Sequence, residues 1–359
     1  MHTLYPDTTP HWKLALQQAF EQEPFFPAPG LGNPHTQSVW GHLTRSALPK
    51  LPFVRERLTT PDDDVLELFS LDLEDDDRPI MLLLHGLEGG LNSYYVHRQG
   101  RLFHQAGWSV ALMCFRSCGL EMNRGPRLYH MGDTADPIFV AETLAERWPG
   151  RRIDIIGVSL GGSVLGNWLA DAGEAVPEEI GAAAIISPPF DPTACAPFLA
   201  SQLHGAYVYH FLRSLTPKAL IKATQYPDLL DAEVIRRCRS FRTFDNAVTA
   251  PLHGFIDAED YWRRVACGRK LHKIRVPTLV AAAEDDPFSP AASIPYADMA
   301  ISPWLLPLIT SQGGHVGFVG GTLRRPEYWL DAQLLRFFRT LNKDIPVAMT
   351  WPEKLATTR

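Results

Sequence analysis

The sequence predicts an α/β protein: a doubly wound, mostly parallel sheet of eight strands, with helices on both faces and an inserted helical cap. Three observations carry this. Six short runs, at 80–85, 110–115, 153–158, 182–187, 278–283 and 308–310, are apolar at nearly every position. Such runs suit strands covered on both faces, as in a parallel sheet. Helix-patterned stretches at 95–105, 134–147, 163–172 and 326–341 fall between and after them, and alternating strands and helices build a doubly wound sheet. Residues 192–272 break the alternation: they lean helical, carry many aromatic and basic residues, and sit between two of the sheet runs.

The other two strands come from 53–59 and 65–71. These alternate around the turn sequence "PDDD" and read as an antiparallel hairpin. Residues 1–50 are rich in proline and aromatics and have no clear period, so they read as an arm laid over a larger body. The expected organisation is an arm at 1–50, a core from 51–191 and 273–345, and a cap at 192–272. At ~150 residues per domain, a chain of 359 residues fits one large domain carrying an insertion.

Composition excludes several functions. A net charge of −6 leaves no basic excess to neutralise phosphates, which argues against a nucleic-acid partner. The N-terminus lacks a basic start followed by an apolar run, so no signal peptide is expected. The longest apolar runs fall far short of the ~20 residues of a membrane span, so no transmembrane segment is expected. The five cysteines (Cys114, Cys118, Cys195, Cys238 and Cys267) have no CxxC spacing and read as free thiols in a reducing cytosol. The expected location is cytoplasmic.

The chemistry centres on Gly157-Val158-Ser159-Leu160-Gly161, which follows a β-branched run and precedes a helix-like stretch. A sharp strand-to-helix turn of this kind lifts a serine hydroxyl to the C-terminal edge of a sheet, and flanking glycines keep Cβ atoms out of the crowded turn. Read alone, the pattern is short, and a plain glycine-rich turn is the alternative. A nucleophilic serine needs a base, and the base needs an orienting carboxylate. In this architecture the acid and then the histidine follow the serine along the chain. "AAAEDDPFSP" places Asp285 and Asp286 after the strand that follows the cap, and "LITSQGGHVGF" places His315 after the last strand. Asp286, four residues before Pro290, is the favoured acid, with Asp285 as the alternative. "LLLHGLEGG" ends an earlier strand in His85-Gly86. The N–H groups of Leu87 and Leu160 are the expected oxyanion hole.

Other residues read less sharply. His130 and Arg116 follow strands near the same edge and either shape the pocket or, in the favoured reading, tie loops together by hydrogen bonds. Phe198, Tyr207, Tyr209, Phe211 and Trp262 either line an acyl pocket under the cap or form ordinary core. Thirteen histidines without an HxxxH or HxH cluster suggest no metal site, and the chemistry calls for no cofactor.

Over about residues 52–341 the sequence resembles the α/β-hydrolase superfamily. More narrowly it is similar to the YheT-like branch of bacterial hydrolases, plant embryogenesis-associated proteins and animal α/β-hydrolase-domain lipases. "NPHTQSVW", "HGLEGGLNSYYV", "CFRSCG", "RLYHMGDTAD" and "FDNAVTAPLHGFIDAEDYW" carry the likeness. His35 and His253 lie in these stretches. Ser117 and Phe115 depart from the branch's pattern, which has Gly and Asn there. The resemblance implies a serine carboxylesterase or lipase-like activity. The expected substrate is a small-molecule or lipid ester of short-to-medium acyl chain. Two other readings use the same residues: an acyltransferase or thioesterase, and a non-catalytic binding protein on a hydrolase scaffold. The sequence is silent on oligomeric state.

Overall fold

The apolar runs pair as one eight-stranded sheet. A computed structural model describes residues 10–44, 50–74 and 78–342. The strands are β1 (Val54–Thr59), β2 (Val65–Leu71), β3 (Ile80–Leu84), β4 (Ser109–Cys114), β5 (Ile153–Val158), β6 (Ile180–Ile186), β7 (Thr278–Ala283) and β8 (Leu305–Thr310). Their order is β1-β2-β4-β3-β5-β6-β7-β8. The hairpin β1–β2 is antiparallel, from Val54 opposite Ser70 to Thr59 opposite Val65, and β2 joins β4 antiparallel. All later pairings are parallel.

Every residue of β3, β4, β5 and β7 is buried. The reason is cover on both faces, with alternate side chains pointing to opposite sides. Ile80, Leu82 and Leu84 pack with α4 (Ala135–Arg147) and α5 (Leu160–Ala172). Met81 and Leu83 pack on the other side with α1 (His11–Gln22), α3 (Tyr94–Gln105) and α13 (Trp329–Leu341).

Two differences from the sequence reading stand out. The last helix begins at Trp329, not at 326. Residues Arg325–Tyr328 form strand β10, paired with β9 (Val319–Thr322) in a small hairpin turned at Leu323-Arg324. Pro326 looks like a helix-start proline in sequence, yet proline is equally at home on an edge strand. The described part of residues 1–50, in turn, is largely helical. It holds α1 and α2 (Pro34–Thr44), and α1 buries Leu16 and Phe20 in the core. Prolines at 10, 24, 27, 29 and 34 bracket these helices and hide their period.

Between β6 and β7 the chain is helical, with α6 (Pro192–Ser201), α7 (Ala206–Gln225), α8 (Ala232–Arg236), α9 (Phe241–Phe244), α10 (Ala250–His253) and α11 (Ala258–Arg264). Asp191, Asp231, Ser240 and Asp257 cap helices here by accepting first-turn N–H groups. This segment has an apolar cluster of its own around Leu212, Leu215, Ala219 and Phe244, onto which Leu87 and Phe288 of the sheet loops pack. A further short helix, α12 (Tyr296–Ile301), follows β7. The five cysteines are free, and among the described residues no helix is long and apolar enough to cross a membrane.

Candidate active site

Ser159 sits between β5 and α5 with φ 54° and ψ −118°, a backbone state rare for any residue but glycine. Its own N–H donates to Ile186 O at 2.7 Å, which ties the turn to β6. The flanking glycines are there for space. A Cβ on Gly157 would lie 2.5 Å from Gly161 O, and one on Gly161 would lie 2.5 Å from Leu84 O and 2.6 Å from His85 O. Gly161→Ala is therefore expected to cost roughly 1–3 kcal/mol of stability by overpacking against backbone. Urea denaturation checks this, and an unchanged midpoint would contradict it.

The predicted partners converge on this serine. His315 Nε2 is 2.9 Å from Ser159 Oγ, and His315 Nδ1 is 2.8 Å from Asp286 Oδ2. A carboxylate can only accept, so Nδ1 carries the proton and Nε2 is free to accept from the serine. Asp286 is buried, and its other oxygen accepts from the Phe288 N–H at 2.7 Å. Asp285 points elsewhere: its Oδ1 accepts from the Gly314 N–H at 2.8 Å. Phe288 stacks face to face on the imidazole, with ring centroids 4.0 Å apart and planes at 10°.

Leu87 and Leu160 line the same pocket as Ser159 and His315. The turn holding Leu87 is fastened on several sides. His85 is wholly buried, donating from Nδ1 to Gly86 O at 2.7 Å and accepting at Nε2 from the Phe115 N–H at 3.1 Å. Burial pushes its pKa down to about 4. The Gly86 N–H donates to Tyr95 Oη at 2.7 Å. Glu88, at φ 54°, donates its N–H to Tyr129 Oη at 2.8 Å, while its carboxylate accepts from Tyr129 Oη at 2.9 Å and from Lys218 Nζ of α7 at 2.8 Å. Tyr95, Tyr129 and Lys218 had no role in the sequence reading. Only the "NSYY" and "RLYH" stretches hinted at the first two.

The pocket holds about 880 Å³ counting its open mouth, and Leu199, Phe211, Leu215, Phe241 and Trp262 form much of its wall. Phe198, Tyr207 and Tyr209 are not among its lining residues, and Tyr209 is 67% exposed on α7. Arg116 is a buried tie: it pairs with Asp62, Asp64 and Asp136 at 2.7–2.9 Å. His130 lines the pocket, packed edge to face with His253 at 4.5 Å. Burial lowers the pKa of both, that of His253 to about 3. His130, Asp133 and His253 are the one group among the described residues whose ligand atoms gather within 4.8 Å, as a metal site would need. Two of these groups already have protein partners, since His130 Nδ1 accepts from the Gly132 N–H at 3.1 Å and Asp133 pairs with Arg127 at 2.7 Å.

This fold is that of the α/β hydrolases. A family model described as "alpha/beta hydrolase fold" matches residues 79–322. The chain is 34% identical over 314 residues to the Escherichia coli K12 protein named "Putative esterase YheT", covering 86% of this chain and 91% of that one. It is 29% identical to the Saccharomyces cerevisiae monoacylglycerol lipase and 28% to the mouse phospholipase ABHD3, spanning 65% and 64% of their lengths. Among solved structures, the Pyrococcus furiosus esterase Pf2001 shares the fold, with a TM-score of 0.56 at 15% identity over 83% of this chain and 97% of that one. The chain belongs to the α/β-hydrolase superfamily, in its YheT-like branch.

Proposed function

We propose that the protein hydrolyses carboxylic esters of short-to-medium acyl chain through an acyl-enzyme on Ser159. The observation that carries this is the unbroken line Asp286–His315–Ser159, at 2.8 and 2.9 Å, opening on an apolar pocket. Ser159 Oγ attacks the ester carbonyl as His315 Nε2 takes its proton. Asp286 holds the Nδ1–H tautomer and stabilises the imidazolium. The N–H groups of Leu87 and Leu160 receive the oxyanion. The alcohol leaves with the proton from His315. Water, deprotonated by the same nitrogen, then frees the acid. No cofactor takes part.

In this reading residues 192–272 are a cap that walls the acyl pocket, residues 51–191 and 273–345 are the catalytic core, and residues 1–50 are an arm. Positions 1–9, 45–49, 75–77 and 343–345 of this division lie outside the described residues. The relatives named as lipase and phospholipase, together with the aliphatic and aromatic wall, favour a lipid or small-molecule ester.

A fluorophosphonate probe is expected to label the protein stoichiometrically at Ser159, located by peptide mass spectrometry. On a p-nitrophenyl ester series, kcat/KM is expected to peak at short-to-medium chains with free acid as product. No labelling and no ester turnover would return the chain to the class of binding proteins. Acyl transfer to an added alcohol outpacing release of free acid would make it a transferase.

A further inference from the structure

Resting on the proposed role of His315, the geometry points to Ser38 and Gln37 of α2 as positioning residues that hold the His315 loop in its working shape. They belong to the "NPHTQSVW" stretch, which the proposed chemistry leaves without a task.

The loop from Gly313 to Phe318 is bent in a way its own residues disfavour. Val316 has φ 60° and Phe318 φ 47°, in the left-handed region where β-branched and bulky side chains are rare. Such conformations persist where surrounding structure over-determines them. The surrounding structure here is α2 and the segment before it. The His315 N–H donates to Ser38 Oγ at 2.8 Å, and Ser38 Oγ donates to Pro34 O at 2.7 Å, so the hydroxyl is used in both directions. Gln37, 1% exposed, accepts from the Val319 N–H at 2.8 Å and donates from Nε2 to Val319 O at 3.0 Å and to Leu31 O at 2.9 Å. These bonds fix the backbone on both sides of the strained residues.

Contact is close enough to select glycine. A Cβ on Gly314 would lie 2.5 Å from Pro34 O and 2.8 Å from Ser38 Oγ, and one on Gly317 would lie 2.7 Å from Gln37 O. The ring of His315 is held from the same helix by a second route. His35 Nδ1 is 3.0 Å from Tyr207 Oη, Tyr207 packs on Phe288 at 4.7 Å, and Phe288 is the ring stacked on the imidazole. Backbone and ring of the base are thus both referred to α2. The pairs lie about 280 positions apart in sequence, at separations of 277 for Ser38 with His315 and 282 for Gln37 with Val319.

Two measurements on Ser38→Ala test this. Hydrogen exchange followed by mass spectrometry over 311–319 needs no substrate, and the variant is expected to exchange at least about fivefold faster there than wild type, for loss of one buried hydrogen bond. The kcat for a p-nitrophenyl ester, counted per fluorophosphonate-titrated site, is expected to fall about tenfold while KM stays within about twofold, the signature of a displaced base. Ser38→Thr, which keeps the oxygen, is expected to recover both. Counting per titrated site removes any unfolded fraction. If surviving sites turn over at the wild-type rate, or exchange over 311–319 is unchanged, the positioning role is overturned. Should Ser159→Ala, run alongside, retain esterase activity, the proposed chemistry falls, and the exchange result alone still decides whether α2 holds the loop.

Discussion

Ser159→Ala is expected to lower kcat/KM for ester hydrolysis by roughly 10⁴- to 10⁶-fold, because removing the nucleophile disables serine, histidine and aspartate as a unit. The residual rate would be that of the pocket and the oxyanion donors acting on water. Stability should move little on this change, since alanine inherits the same backbone state, φ 54° and ψ −118°. Ser159→Gly separates strain from chemistry. Glycine tolerates that state, which stores on the order of 1–3 kcal/mol for other residues, and gives back about 0.5–1 kcal/mol in chain entropy. The glycine variant should therefore be as inactive as alanine and more stable than it by about 1 kcal/mol. Activity on a p-nitrophenyl ester and urea midpoints for the three proteins settle the matter. Hydrolysis within tenfold of wild type in Ser159→Ala would remove the acyl-enzyme mechanism.

Much of this site was legible because chain order mirrors position along the sheet edge. Ser159, Asp286 and His315 each follow a strand whose apolar run is plain in sequence, so finding the strands located all three. What stayed hidden was direction. Asp285 and Asp286 are adjacent carboxylates, and only the folded backbone turns one toward His315 and the other toward the Gly314 N–H. Burial hid other functions. Glu88 and Lys218 carry no signal in sequence, yet they join the Leu87 turn to α7 by an ion pair whose two side chains are 7% and 21% exposed. Residues 326–328 join the helix pattern in sequence because a four-residue strand containing proline carries almost no periodic signal. The arm was harder still. Its helices are short and bracketed by prolines, and what they do depends on residues near the other end of the chain.

The arrangement also has a cost in acid, seen most clearly at His85. The imidazole is wholly buried, and desolvation lowers its pKa from 6.5 to about 4. A depressed folded pKa means that the unfolded chain takes up the proton first, so the stability contributed by neutral His85 is complete above pH 6.5 and is lost as pH falls toward 4. Between pH 7 and pH 5 that loss amounts to about 2 kcal/mol. His253, lowered to about 3, and His130 act in the same direction. Asp133 and Asp245 act against them. Burial raises both to about 6, so the folded state gains their protons first and is stabilised as pH drops through 6. The wild-type stability curve sums these opposing terms, which is why a variant is needed to read His85 alone. His85→Gln loses stability at pH 7, since it disturbs bonds to Gly86 O and the Phe115 N–H, but it cannot titrate. The gap between wild type and variant should therefore shrink by about 2 kcal/mol on going from pH 7 to pH 5. Urea unfolding at the two pH values measures it directly. A gap that stays constant would mean that His85 takes up its proton in the folded protein as readily as in the unfolded chain, and that burial does not hold the turn's histidine neutral.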